Sequence, residues 1–168
     1  MAASFAVRRS NTDEMRTFLM RPGGEVEDPR SAARHLSATG RTTVRGVVHR
    51  IKLELGTIDL TAIVTAPSPA ALQSAELVAG SLDFLGVVRV MPELVAPTPP
   101  DTQLRALLGL GDAVLVVADE PFLSSLGAAL AGRPTFPTFV PGQIALLEDR
   151  RPFGTWTEGA SMKPLLLA

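Results

Sequence analysis

Apolar and polar positions along this chain change period several times, and each change marks a strand or a helix. Thr17-Phe18-Leu19-Met20, in a run opened by Met15, is strand-like. Over 41–55 the residues Val44, Val47, Val48, Ile51 and Leu55 recur at helical spacing, with Arg and Lys on the other face and Gly56 as a stop. The run 60–65 is short, rich in β-formers, and needs burial on both faces. Ala71, Ala75, Val78, Leu82 and Leu85 form a second helical stripe, opened by Ser68-Pro69 as cap and first-turn proline. This predicts a helix running to about Leu85. A short strand follows at 87–90, then a loop over 92–100 with four prolines. A short helix is predicted over 101–108. The unbroken apolar run 113–117 predicts a central parallel strand. A helix over 121–131 and an edge hairpin, 143–147 with 153–157 about a turn at 148–151, complete the pattern.

The order β-α-β-α-β-α-β-α-β-β predicts one α/β domain over 15–168, a three-layer α/β/α sandwich with a mostly parallel central sheet. No fixed-period repeat interrupts it. Residues 1–14 have no sustained period and are expected to be a mobile tail, with Arg8 and Arg9 part of a solvated terminus. In such folds ligands sit beyond the carboxyl ends of the strands. The turns there read Arg21-Pro22-Gly23-Gly24, Ala66-Pro67-Ser68-Pro69-Ala70 and Ala118-Asp119-Glu120-Pro121.

Composition narrows the chemistry. The chain has 168 residues, 16 basic and 17 acidic, for a formal charge of −1, with 46% hydrophobic residues. That is enough to bury a core and too apolar for disorder. Near-neutral charge gives no nucleic-acid footprint. No apolar run reaches the roughly 18 residues of a membrane span. The first twenty residues lack the continuous apolar stretch of a secretory signal, so a cytoplasmic location is expected. There are no cysteines, which excludes disulfides, thiolate metal sites and a cysteine nucleophile. Two histidines, His35 and His49, do not make a His-rich metal site. No cofactor and no metal are expected. The excess of arginine over lysine is read as a GC-rich coding bias.

At the three turns the sequence resembles the histidine phosphatase (phosphoglycerate mutase-like) superfamily, and within it the SixA-type phosphohistidine phosphatases. Met15-Arg16-Thr17-Phe18-Leu19-Met20-Arg21 is similar to the family's first strand, which leads into R-H-G. Arg34-His35-Leu36-Ser37 with Gly40 resembles R-P-L-T-x-x-G. The run from Ala66-Pro67-Ser68-Pro69 to Leu72-Gln73-Ser74-Ala75 resembles S-P-x-x-R-A-x-Q-T-A, and Val116-Val117-Ala118-Asp119-Glu120-Pro121 resembles V-V-G-H-E-P. The four pieces lie in the family's order and span nearly the whole chain.

The resemblance implies phosphoryl transfer to the histidine of the R-H-G turn, in a pocket completed by a second histidine and two arginines, with an acid for the leaving group. Arg21 matches the first arginine. The nucleophile's position is Pro22, before Gly23; the second arginine's is Ala70; the second histidine's is Asp119, followed by Glu120. Glu93 is the candidate acid. Proline has no nucleophile and no N–H for an anion. Alanine removes a charged donor fork, and aspartate reverses a charge where phosphoryl oxygens need cations. These changes predict a catalytically inactive family member, a pseudophosphatase, with a vestigial pocket of Arg21, Pro22, Gly23, Ala70, Glu93, Asp119 and Glu120. Arg21 and Asp119 are expected to pair across it. A protein partner is expected, with phosphate binding weak or absent. Candidate contact regions are the tail, the loop 92–100 and the segment 133–137; beside the last, Phe136 and Phe139 are expected to cover the core. The alternatives are an altered SixA-like phosphohistidine phosphatase, an enzyme or divalent-cation site using Asp119, Glu120 and Glu93, and a phospho-ligand sensor.

Overall fold

The computed structural model describes residues 15–167; the expected tail lies outside them. Strand β1 (Arg16–Met20) is followed by a small antiparallel ribbon, β2 (Glu25–Glu27) and β3 (Arg34–Leu36), and by helix α1 (Ala38–Leu55). Then come β4 (Ala62–Thr65), α2 (Pro69–Ser81), β5 (Val88–Val90), α3 (Pro100–Leu107), β6 (Ala113–Val117) and α4 (Phe122–Ala131). The chain closes with β7 (Ile144–Glu148), β8 (Arg151–Trp156) and β9 (Lys163–Pro164). The main sheet runs β5-β4-β6-β1-β7-β8-β9. Its first four strands are parallel and the rest antiparallel.

The predicted central strand is β6. It is buried along its whole length between β4 and β1, both parallel to it. The expected hairpin forms, but its turn is only two residues, Asp149 and Arg150, both at positive φ (49° and 62°), the conformation whose twist matches that of its strands. It is not at the sheet edge, because the two-residue β9 pairs on β8. Three-residue ribbon strands are too short to show a period, and the sequence pattern gives no sign of them.

Helix α2 ends at Ser81, four residues short of the expectation, and Leu85 is 99% exposed instead of facing the core. The cause is a C-terminal lock. Asp83 takes a left-handed conformation (φ 52°), Phe84 N–H donates to Ala79 C=O at 2.9 Å, and Asp83 N–H to Gly80 C=O at 3.4 Å. This is the helix-ending motif usually marked by glycine. With aspartate in that position it is hard to see in sequence.

Travel across the sheet reverses between β5 and β6. Right-handed crossovers then place α1 and α2 on one face and α3 and α4 on the other; α1 packs on α2, and α3 on α4. Strands β1 and β6 are neighbours whose chains leave to opposite faces, which opens a crevice beyond their carboxyl ends.

The turn after β1 is fixed there by backbone contact. A Cβ on Gly23 would meet Gly40 O at 2.7 Å, and a Cβ on Gly40 would collide with Gly24 O. Ser37 caps α1 by accepting from Gly40 N–H at 2.9 Å, and its hydroxyl donates to Gly24 C=O at 2.9 Å. Gly40→Ala is therefore expected to cost about 2–3 kcal/mol in denaturant unfolding, through overpacking against backbone that has no room to move.

A second tie joins α1 to the hairpin. Glu54 accepts from the indole N–H of buried Trp156 at 2.8 Å and from Met162 N–H at 3.0 Å. The Trp156 hydrogen bond, chiefly, lowers the Glu54 pKa below its ordinary value of 4.5. A depressed carboxylate adds stability that is present above the unfolded-state pKa and is lost as pH falls through the folded one. Wild type is expected to exceed Glu54→Gln in stability at neutral pH, with the gap closing as pH falls through and below the ordinary carboxylate range. Tryptophan-monitored unfolding across that range checks it.

Candidate functional site

The crevice holds a cleft of about 520 Å³, lined by residues of all three predicted turns. Arg21, Pro22, Gly23 and Gly24 come from the β1 turn, Ser68 and Pro69 from the β4 turn, and Asp119 and Glu120 from the β6 turn. The ribbon adds Glu25 and Arg34, joined at 2.9 Å, and Pro141 lines one side.

Each turn is held by hydrogen bonds to another element. Gly23 N–H donates to Ser74 Oγ of α2 at 3.2 Å, and Gln73 Oε1 accepts from Leu36 N–H at 2.8 Å. Ser68 caps α2, its Oγ accepting from Ala71 N–H at 3.4 Å, while its hydroxyl donates to Asp119 Oδ2 at 2.9 Å. One serine thereby links the ends of β4 and β6.

Arg21 and Glu120 together grip the peptide groups of Phe139. Arg21 Nη1 donates to Phe139 C=O at 2.6 Å, and Glu120 Oε1 accepts Phe139 N–H at 2.8 Å. The other Glu120 oxygen accepts from Ser124 N–H at 3.2 Å and Ser124 hydroxyl at 2.7 Å. Beneath this grip the Phe136 and Phe139 rings stack at 5.8 Å and are buried, so these aromatics do cover the core and offer no exposed interface.

The expected Arg21–Asp119 pair is not formed. Among the described residues the ion pairs are Arg16–Glu148 and Arg34–Glu25. Arg21 is engaged by a carbonyl and Asp119 by a hydroxyl, so each already has a neutral partner on its own side of the cleft. Pro22 and Gly23 are buried in its wall. Ala70 lies fully buried in the first turn of α2 and is not a lining residue. Glu93 is also not a lining residue; it is exposed in the loop after β5, apart from Asp119 and Glu120. The proposed three-acid cluster is thus not assembled, and no group of three or more potential metal-ligating side chains occurs among the described residues. Neither histidine reaches the cleft. His35 lies on β3 opposite Val26, and His49 is exposed on α1.

Sequence reasoning did not place Glu25, Arg34 or Pro141 in the site. Glu25 and Arg34 arrive on the ribbon that has no periodic signal, and Pro141 arrives through the Phe139 grip, a contact distant in sequence. Ser68 was readable as a cap but not as the partner of Asp119.

No protein-family model and no curated protein matches the sequence. Solved structures do. A structure of the protein histidine phosphatase SixA complexed with tungstate is 26% identical, with a TM-score of 0.70, covering 89% of this chain and 97% of that one. The chain has the fold of the histidine phosphatase superfamily. Among other neighbours, the α-ribazole phosphatase of Shigella flexneri is 15% identical (TM-score 0.59; 92% of this chain, 99% of that one). A mycobacterial glucosyl-3-phosphoglycerate phosphatase is 17% identical (TM-score 0.60; 80% and 92%). No helix among the described residues is long and apolar enough to cross a membrane.

In this histidine-phosphatase-like chain the Glu120 bonds are charge-assisted. Glu120→Ala is expected to destabilise the chain by about 2 kcal/mol. It should also speed amide exchange at Phe139 more than in the distant hairpin turn at 149–150, which hydrogen-exchange measurement can resolve.

Proposed function

We propose that this chain is a catalytically inactive histidine-phosphatase-like protein, a pseudophosphatase that binds a partner through the fold instead of turning over a phosphate ester. The observation that carries the reading is the cleft itself, which has a buried proline between Arg21 and Gly23 and no histidine among its lining residues. By the motif resemblance, Pro22 stands at the nucleophile, Ala70 at the second arginine and Asp119 at the second histidine. Phosphoryl transfer depends on an attacking atom and on cations placed around the transferring oxygens. Here the cleft carboxylates Glu25, Asp119 and Glu120 outnumber the guanidiniums Arg21 and Arg34. One nitrogen of Arg21 is committed to Phe139.

The second reading is a SixA-like phosphohistidine phosphatase, or a phospho-ligand sensor, with an altered site. Its support is the 26% identity to the tungstate-bound SixA over nearly the whole of both chains.

Hydrolysis of p-nitrophenyl phosphate and of phosphohistidine by the full chain, with and without divalent metal, separates the two. The inactive reading expects the buffer rate throughout. A rate above buffer that drops on Arg21→Ala or Asp119→Asn would establish an enzyme with a changed site.

A further inference from the structure

The cleft remains open although its phosphate-binding chemistry is depleted, and a count of its hydrogen-bond donors and acceptors shows what it now suits. Three lining residues, Pro22, Pro69 and Pro141, have no N–H to offer. The N–H of Gly23 is taken by Ser74, and the hydroxyl proton of Ser68 by Asp119. The Arg34 guanidinium pairs through Nε with Glu25 at 2.9 Å, and Arg21 commits Nη1 to Phe139 C=O while its other N–H groups stay free for the cleft. On the acceptor side, Asp119 is half-buried, its hydrogen bond from Ser68 reaches Oδ2 alone, and it has no cationic partner among the described residues. Glu120 stays within the cleft wall, held by Phe139 and Ser124. Several donors are thus engaged, a carboxylate oxygen is open, and the lining carboxylates Glu25, Asp119 and Glu120 outnumber the guanidiniums Arg21 and Arg34.

Resting on the inactive reading above, we infer that the cleft has reversed the sign of its ligand: it receives a guanidinium or ammonium group, with Asp119 as counter-ion, where a phosphatase receives a phosphoryl group. A planar or tetrahedral N–H donor supplies what Asp119 Oδ1 lacks, and Arg21 in the same cleft forms no ion pair with that carboxylate. Ser68 fixes the carboxylate rotamer, so little side-chain freedom is lost when the ligand docks. The volume of about 520 Å³ lies within the range of about 300–1,000 Å³ typical of small-ligand pockets. A basic side chain on an exposed segment of a partner protein and a free polyamine share this chemistry.

The test is titration of the full chain with N-acetylarginine amide, followed by NMR at the backbone amides of residues 21, 23–25 and 119–120. N-acetylcitrulline amide serves as the neutral isostere and inorganic phosphate as the opposite charge. Saturable shifts with the arginine derivative alone are expected, weakened by about tenfold or more in Asp119→Asn. Glu25→Gln gives an independent variant, because it removes a cleft carboxylate and releases Arg34 without touching the Ser68–Asp119 bond; it too is expected to weaken binding. Saturable phosphate shifts at these amides would overturn the inference. So would the absence of shifts with the arginine derivative, or shifts that survive both substitutions. Spermidine completes the comparison: tighter binding than the arginine derivative points to a free polyamine, and weaker binding to a protein side chain, the cation site standing in both cases. Failure of the inactive reading has a different signature, turnover in the hydrolysis assay.

Discussion

Strands β1 and β6 lie side by side while their chains leave to opposite faces of the sheet, and the rest of the molecule follows from that constraint. No helix can cover the point where the faces part, so a cleft must exist there. The strands that border it cannot shift, because β6 is buried on both faces and hydrogen-bonded on both edges. The turns at their ends are therefore held still whatever residues occupy them. Backbone contact between the β1 turn and the first turn of α1 tightens this further, since Gly23 and Gly40 leave no space for a Cβ. A scaffold of this kind keeps its site when the chemistry of that site changes.

Within the frame, polar groups that line the cleft also hold it together. Arg21 and Glu120 clamp the two peptide groups that flank Phe139, and Ser68 serves both α2 and Asp119. These bonds stabilise the turns and at the same time occupy donors that an anion would need. A donor hydrogen already bonded within the protein reaches a ligand only if that bond is broken. The same hydrogen bonds thus both hold the turns and set which groups remain free in the cleft.

Much of this was readable in the sequence, for physical reasons that differ by element. The strand 113–117 and the stripe Val44-Val47-Val48-Ile51 are long enough to show a period, and Gly56 and Ser68-Pro69 mark helix ends by known backbone chemistry. The three cleft-lining turns followed from the alternation of elements alone. What stayed hidden depends on contacts distant in sequence. The end of α2 rests on Asp83 in a conformation more typical of glycine, the ribbon rests on pairing between three-residue strands, and the position of Pro141 rests on the Phe139 clamp. The Arg21–Asp119 pair was expected because both residues stand at adjacent strand ends. Adjacency of backbone did not decide it; nearer partners, a carbonyl and a hydroxyl, did.

That outcome bears on whether the cleft is open or filled. A direct Arg21–Asp119 pair would have closed the cleft, and burying such a pair typically gains little over an apolar filling. The observed arrangement keeps the two charges in separate hydrogen bonds and leaves the cavity between them open. An open, acid-biased cleft on a rigid frame differs from a collapsed vestige, because it retains a defined shape and one carboxylate with unfilled acceptor capacity. On the proposed reading, a rigid frame favours recognition of a donor-rich group, since a preorganised acceptor binds with less ordering cost than a mobile one. On that reading, a proline at the nucleophile's position and an open cavity are compatible: the first would remove turnover, and the second would preserve a place to bind.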